Sequence, residues 1–147
     1  MKIVLMADNR KMELLVNFCI AYRCQLEKHQ LISIYNTAKL LNSAAGLDVS
    51  GLSVDYSTGF KQLASRAEFN ELDCIIYLHD GNSEQEAGQQ DLLNACDIQN
   101  IPYATNIASA EILIVGIDQG YLDYRTWTDD SASDAAEDNE DPSEGEG

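Results

Sequence analysis

The sequence predicts an α/β fold of three layers, built on a mostly parallel five-stranded sheet. Three observations carry that reading: short continuous apolar runs recur along the chain, stretches of helical periodicity separate them, and the connections are brief. A chain of 147 residues holds one sizeable core but not two ordinary ones. Residues 1–127 are therefore expected to form a single α/β domain, followed by a disordered acidic tail over 128–147.

Residues 3–7, Ile-Val-Leu-Met-Ala, are the first predicted strand, and their lack of alternation suits a central position covered on both faces. Asp8 follows as the expected cap of a helix over 11–23, where Leu14, Leu15, Phe18 and Tyr22 recur at helical spacing. Residues 31–35 are the second strand. Asn36 and Thr37 open a helix reaching Ala45, and Gly46 ends it. Residues 47–54 alternate apolar and polar side chains, as an exposed or edge strand does, and a loop over 55–59 leads into a helix from Phe60 to Phe69. Residues 74–78 read as another central strand, ending at His79-Asp80-Gly81. A polar stretch over 82–90 precedes a helix through Leu92, Leu93 and Cys96, and residues 101–104 form the fifth strand. Residues 109–116 stay open between helix and strand, because short apolar runs do not discriminate. Tyr121, Tyr124 and Trp127 are expected to close the fold.

The formal charge is −16, but nine acidic residues between Asp129 and Glu146 have no basic partner among them, which leaves the body near −7. Neither a nucleic acid nor an anionic membrane surface is expected as partner, since both need a basic footprint. Cys19, Cys24, Cys74 and Cys96 form no Cys-x-x-Cys pair and read as reduced core thiols, so neither a metal nor a cofactor is expected. The first apolar run ends at Asp8, too early for a secretory signal, and no run reaches membrane-spanning length. A cytoplasmic location is expected.

Residues 100–111, Asn-Ile-Pro-Tyr-Ala-Thr-Asn-Ile-Ala-Ser-Ala-Glu, combine a strand, a polar turn and a helix start. Free backbone N–H groups at such a helix start form an anion site, with Thr105, Asn106 and Ser109 adding donors; a capped helix without ligand is the plainer alternative. Ligands in parallel sheets sit beyond the carboxyl ends of the strands. That edge collects Asp8, Asn9, Lys11, Asn36, Thr37, Lys39, Ser57, Thr58, Gly59, His79 and Asp80 beside the same turn.

Residues 101–110, Ile-Pro-Tyr-Ala-Thr-Asn-Ile-Ala-Ser-Ala, resemble the Ile-Pro-Val-Ala-Thr-Asn-x-Ala-Thr-Ala segment of the methylglyoxal synthase-like domain family, which includes the allosteric domain of carbamoyl phosphate synthetase. Ala7-Asp8 with Lys11, the Gly46-Leu47-Asp48-Val49 run, Leu52-Ser53 and Asp80 add to the resemblance, which covers most of residues 2–125. It implies a phosphate pocket, a hexameric or other homo-oligomeric assembly, and elimination of phosphate from dihydroxyacetone phosphate by an aspartate base and a histidine. Three parts of that pattern differ here. The Thr-Gly-Thr-Thr-Gly loop reads Ile34-Tyr35-Asn36-Thr37-Ala38, the Gly-Gly-Asp loop reads Thr58-Gly59-Phe60-Lys61, and the histidine segment reads Glu84-Gln85-Glu86-Ala87-Gly88.

Loss of a positioned base costs about a hundredfold to ten-thousandfold in rate. The resulting expectation is a degenerate, non-catalytic member of the family that binds a phosphorylated metabolite or nucleotide-like signal, as a sensor or sponge. Lys11, Asn36, Thr37, Ser57, Thr58, Gly59, Thr105, Asn106 and Ser109 would hold the phosphate, and Tyr35 and Phe60 would form an aromatic wall for a base or ring. The alternative is an active methylglyoxal synthase in which Asp8, Asp80 and His79 carry the chemistry, or Asp55 serves as a displaced base.

Overall fold

The computed structural model describes residues 1–84 and 87–126. The expected closing residue Trp127 and the tail over 128–147 lie outside the described residues, as do Gln85 and Glu86.

Five parallel strands form one sheet in the order β3-β2-β1-β4-β5: β1 (Lys2–Ala7), β2 (Gln30–Ile34), β3 (Val49–Leu52), β4 (Cys74–Leu78) and β5 (Tyr103–Ala104). Among the described residues six α-helices connect and cover them: α1 (Met12–Ala21), α2 (Arg23–Leu26), α3 (Tyr35–Ala45), α4 (Tyr56–Glu68), α5 (Ala87–Gln99) and α6 (Ile107–Asp118). The predicted fold class therefore holds. β1 is central because its side chains are apolar at both parities, so each sheet face finds a cover. Val4 and Met6 join Phe60, Leu63, Ala64 and Leu92 in the core beneath α4 and α5, while Ile3 and Leu5 are equally buried on the opposite parity. Burying a side chain such as Leu63 contributes about 1.5–3 kcal/mol.

Several boundaries differ from the sequence reading, each for a local reason. Residues 9–11 form a 3-10 turn before α1, and the Asp8 side chain makes no capping bond there because its oxygens are engaged elsewhere. The helix expected over 11–23 breaks at Tyr22 into α1 and α2. The loop expected over 55–59 is instead the start of α4: Asp55 caps it by accepting from the Thr58 N–H at 2.7 Å, which places Ser57, Thr58 and Gly59 in its first turns. The ambiguous segment over 109–116 is helical.

β3 is short and held by a side chain. Asn42 of α3 accepts from the Val49 N–H at 2.7 Å and donates to the Val49 carbonyl at 3.1 Å, imitating a strand partner at the entry to β3. Gly51 then lets β3 approach the start of α3, since a Cβ there would lie 2.8 Å from the Tyr35 Cα.

The chain divides into two compact units, residues 1–115 with the sheet and a second beginning at Gly116. Within the second, the Tyr121 N–H bonds the Gly116 carbonyl at 2.9 Å and the Gly120 N–H bonds the Ile117 carbonyl at 3.0 Å, with Gly120 at φ 86°. This is the Schellman closure of α6. Tyr121 and Tyr124, expected to close the fold, are exposed. Among the described residues no helix is long and apolar enough to cross a membrane. Of the four cysteines expected in the core, Cys19, Cys74 and Cys96 are buried but Cys24 is exposed.

Candidate functional site

In a sheet of this order the crossovers run in opposite directions from β1 and β4, so a crevice opens between the carboxyl ends of those two neighbours. Asp8 follows β1, and His79 and Asp80 follow β4. The Asp8 N–H bonds the Leu78 carbonyl at 2.9 Å, continuing the ladder by one residue and fixing the two acidic residues side by side.

The Asp8 carboxylate accepts from four donors. Oδ1 receives the hydroxyls of Tyr56 at 2.8 Å and Tyr77 at 2.7 Å. Oδ2 receives the Asp80 N–H at 2.7 Å and His79 Nδ1 at 2.9 Å. An ionised carboxylate can only accept, so the His79 proton sits on Nδ1. Burial by itself would raise the Asp8 pKa, but the donors from Asp80, Tyr77, Tyr56 and His79 outweigh it and hold the group below 3.8. The same contacts act oppositely on the phenols. Burial, then the Asp8 anion, drives the Tyr56 and Tyr77 pKa values upward, keeping both hydroxyls protonated as donors.

Asp80 is bonded more sparsely. Its Oδ1 accepts from the Asn82 N–H at 3.1 Å and its Oδ2 from the Ser83 hydroxyl at 2.9 Å, with Arg10 Nε 3.9 Å away. Those two bonds, opposed by desolvation and aided by the charges of Arg10 and Lys11, lower its pKa. Each oxygen retains acceptor capacity.

Asp8 and Asp80 line one cleft of about 760 Å³, together with Arg10, Asn36, Thr37, Tyr56, Ser83 and Gln89. A larger cleft of about 900 Å³ lies at the opposite ends of β1 and β2, lined by Lys2, His29, Gln30 and Arg66 among others. Size does not decide between them. The smaller one holds the bonded carboxylates and stands at the switch point, so it is the candidate site.

The structure brings together only part of the predicted set. Asp8, Asp80, Asn36 and Thr37 line the cleft, while Lys11 acts on it through its charge on Asp80. His79 joins through Asp8. Ser57, Thr58 and Gly59 do not line it, because they have been drawn into α4, where Gly59 packs against Ile34. Thr105, Asn106 and Ser109 stand beyond β5. There the Thr105 carbonyl accepts the His79 N–H at 3.0 Å, and Asn106 caps α6 by accepting the Ser109 N–H at 3.0 Å. The expected aromatic wall is absent: Phe60 is fully buried, edge-on to Tyr56 and Tyr77, and Tyr35 is exposed on α3 away from the cleft. Asp55 lines the cleft, but its Oδ1 is engaged as the α4 cap. Sequence reasoning missed Tyr77 and Gln89 as site residues; Tyr77 reads as one more apolar residue in 74–78, since alternation gives no signal in a strand buried on both faces.

No protein-family model matches the chain. Individual relatives do. A methylglyoxal synthase of Caldicellulosiruptor saccharolyticus is 41% identical over 127 residues, covering 85% of this chain and 90% of that protein. The chain belongs to the methylglyoxal synthase family. A second methylglyoxal synthase, from Thermoanaerobacter pseudethanolicus, is 39% identical over 131 residues, covering 88% of this chain and 99% of its own. The crystal structure of methylglyoxal synthase from Elizabethkingia anophelis NUHP1 superposes with a TM-score of 0.68 at 26% identity, covering 77% of this chain and 76% of that one. These relatives overturn the expectation of a degenerate, non-catalytic sensor or sponge. At about 40% identity over most of the chain, membership in the methylglyoxal synthase family favours the active enzyme.

Proposed function

We propose that the chain is a methylglyoxal synthase, acting on dihydroxyacetone phosphate to release methylglyoxal and phosphate. The observation that carries this reading is the pair of carboxylates, Asp8 and Asp80, linked by one backbone hydrogen bond and facing the same cleft. The reaction needs one base near the substrate's hydroxymethyl carbon and cations near its phosphate. Asp80 is the base, because it alone of the pair has lone pairs to spare. Asp8, with all its acceptor sites occupied, is a fixed negative centre that orients His79 and the backbone of Asp80.

Asp80 takes a proton from the hydroxyl-bearing carbon, and the carbonyl becomes an enediolate. Electrons returning from the hydroxyl, which loses its proton, form the aldehyde and expel phosphate from the other carbon. The methylene enol left behind gains a proton and becomes the methyl group. Carbon chemistry and proton count balance without an oxidant or reductant. Arg10 at the rim and the donors Asn36 and Thr37 suit the leaving phosphate, for which a guanidinium provides a bidentate partner. Exposed Ile20, Phe69 and Ile98 fit a homo-oligomer, which light scattering on the purified protein would reveal.

Incubation with dihydroxyacetone phosphate, following methylglyoxal and phosphate together, tests the activity. Equal release of the two is expected, and Asp80→Asn should lower the rate about a hundredfold to ten-thousandfold. Absence of methylglyoxal above the spontaneous rate would sink the assignment.

A further inference from the structure

Gln89 takes no part in the chemistry above, yet it touches the group that organises it. It sits on α5 with only 1% of its surface exposed and lines the cleft. Its Nε2 donates to the Tyr77 hydroxyl oxygen, and Tyr77 in turn donates to Asp8 Oδ1 at 2.7 Å. Its Oε1 has no hydrogen-bond partner among the described residues, so the contact with Tyr77 is what fixes the amide.

A phenol has one proton to give. With an amide N–H directed at the Tyr77 oxygen, that proton has a single good destination, the Asp8 carboxylate. Turning the amide over would set its carbonyl against the phenol, offer the proton a second acceptor and loosen the bond to Asp8. A charge-assisted bond to the carboxylate is about twice as strong as a neutral one, which favours the orientation observed.

We propose that Gln89 is a positioning residue: it directs the Tyr77 proton onto Asp8 and so fixes the carboxylate that orients His79 and Asp80. Its catalytic consequence rests on the synthase reading, whereas the relay itself does not. The residue acts through Tyr77 and never on the reacting atoms.

Two variants test it, Gln89→Met, which removes the donor at similar volume, and Gln89→Glu, which donates only while protonated. Each is assayed with dihydroxyacetone phosphate across pH 5–9, and the Asp8 carboxyl is titrated by 13C NMR. Gln89→Met should lower kcat about tenfold with KM within twofold, and Asp8 should titrate at higher pH than in the parent. Gln89→Glu should retain activity at acid pH and lose it as the introduced carboxyl ionises. If Gln89→Met does not fold, the pH profile of Gln89→Glu decides alone. Parental kcat and an unmoved Asp8 titration in Gln89→Met, or a parental pH profile in Gln89→Glu, would overturn the proposal. A shifted Asp8 titration in a protein that makes no methylglyoxal would keep the relay and discard the enzyme.

Discussion

The backbone N–H of Asp80 donates to Asp8 Oδ2 at 2.7 Å, so the chain after β4 is tied to the side chain that ends β1. One acidic residue thereby sets the position of the other. Asp8→Asn retains the shape but replaces an acceptor oxygen with an NH2 group facing existing donors. Each donor left unsatisfied costs about 1–3 kcal/mol. Urea denaturation should show a loss of that size, and activity should fall at least a hundredfold; a variant as stable and active as the parent would contradict the anchoring role.

Tyr56 reaches Asp8 from the first residue of α4, so its hydroxyl ties that helix to the sheet edge. Tyr56→Phe removes one charge-assisted bond, a loss of about 1.5–3 kcal/mol. The Asp8 pKa should move up toward 3.8, since one of the donors holding it down is gone. Carboxyl NMR titration checks the direction, and a downward shift would contradict it.

Acid should destabilise the protein through the same carboxylates. Asp8 and Asp80 both have folded pKa values below 3.8, so the folded state binds their protons less readily than the unfolded chain. Their contribution is complete above about pH 4 and is lost as pH falls through the lower folded values. Unfolding free energy measured from pH 6 downward should therefore be steady at first and then decline. Asp8→Asn should flatten part of that decline.

Gly88 of α5 lies against α4, where an added Cβ would stand 2.7 Å from the Phe60 Cβ. Helices cannot stay this close with a larger residue between them. Gly88→Ala should destabilise by about 1–3 kcal/mol through overpacking, and because Gln89 follows directly, the synthase rate should fall as well. Denaturation and kinetics on one preparation check both effects.

Much of the fold was legible because parallel strands buried on two faces leave unbroken apolar runs, as at Ile3 to Ala7 and Cys74 to Leu78. The carboxylates of the site were legible for a related reason: Asp8 directly follows the first of those runs, and Asp80 follows the second just after His79. The tyrosines were not, because Tyr77 hides inside an apolar run and its value depends on a hydroxyl that reaches a residue far away in sequence. The 100–111 segment does not line this cleft, although its donors look free in sequence: folding uses Asn106 Oδ1 to cap α6 and the Thr105 carbonyl to receive the His79 N–H, both as acceptors. Phe60 reads as a ligand wall only until α4 turns it into the core.

The partners of Asp8 lie 48, 69, 71 and 72 residues along the chain, at Tyr56, Tyr77, His79 and Asp80. Closing loops of that length is entropically unfavourable until strand pairing rewards it. During refolding Tyr56 reaches Asp8 with α4, but Tyr77, His79 and Asp80 reach it only when β4 docks. Recovery of catalysis then times the arrival of β4, and a chain trapped before that step can carry most of its helix and still have no working centre.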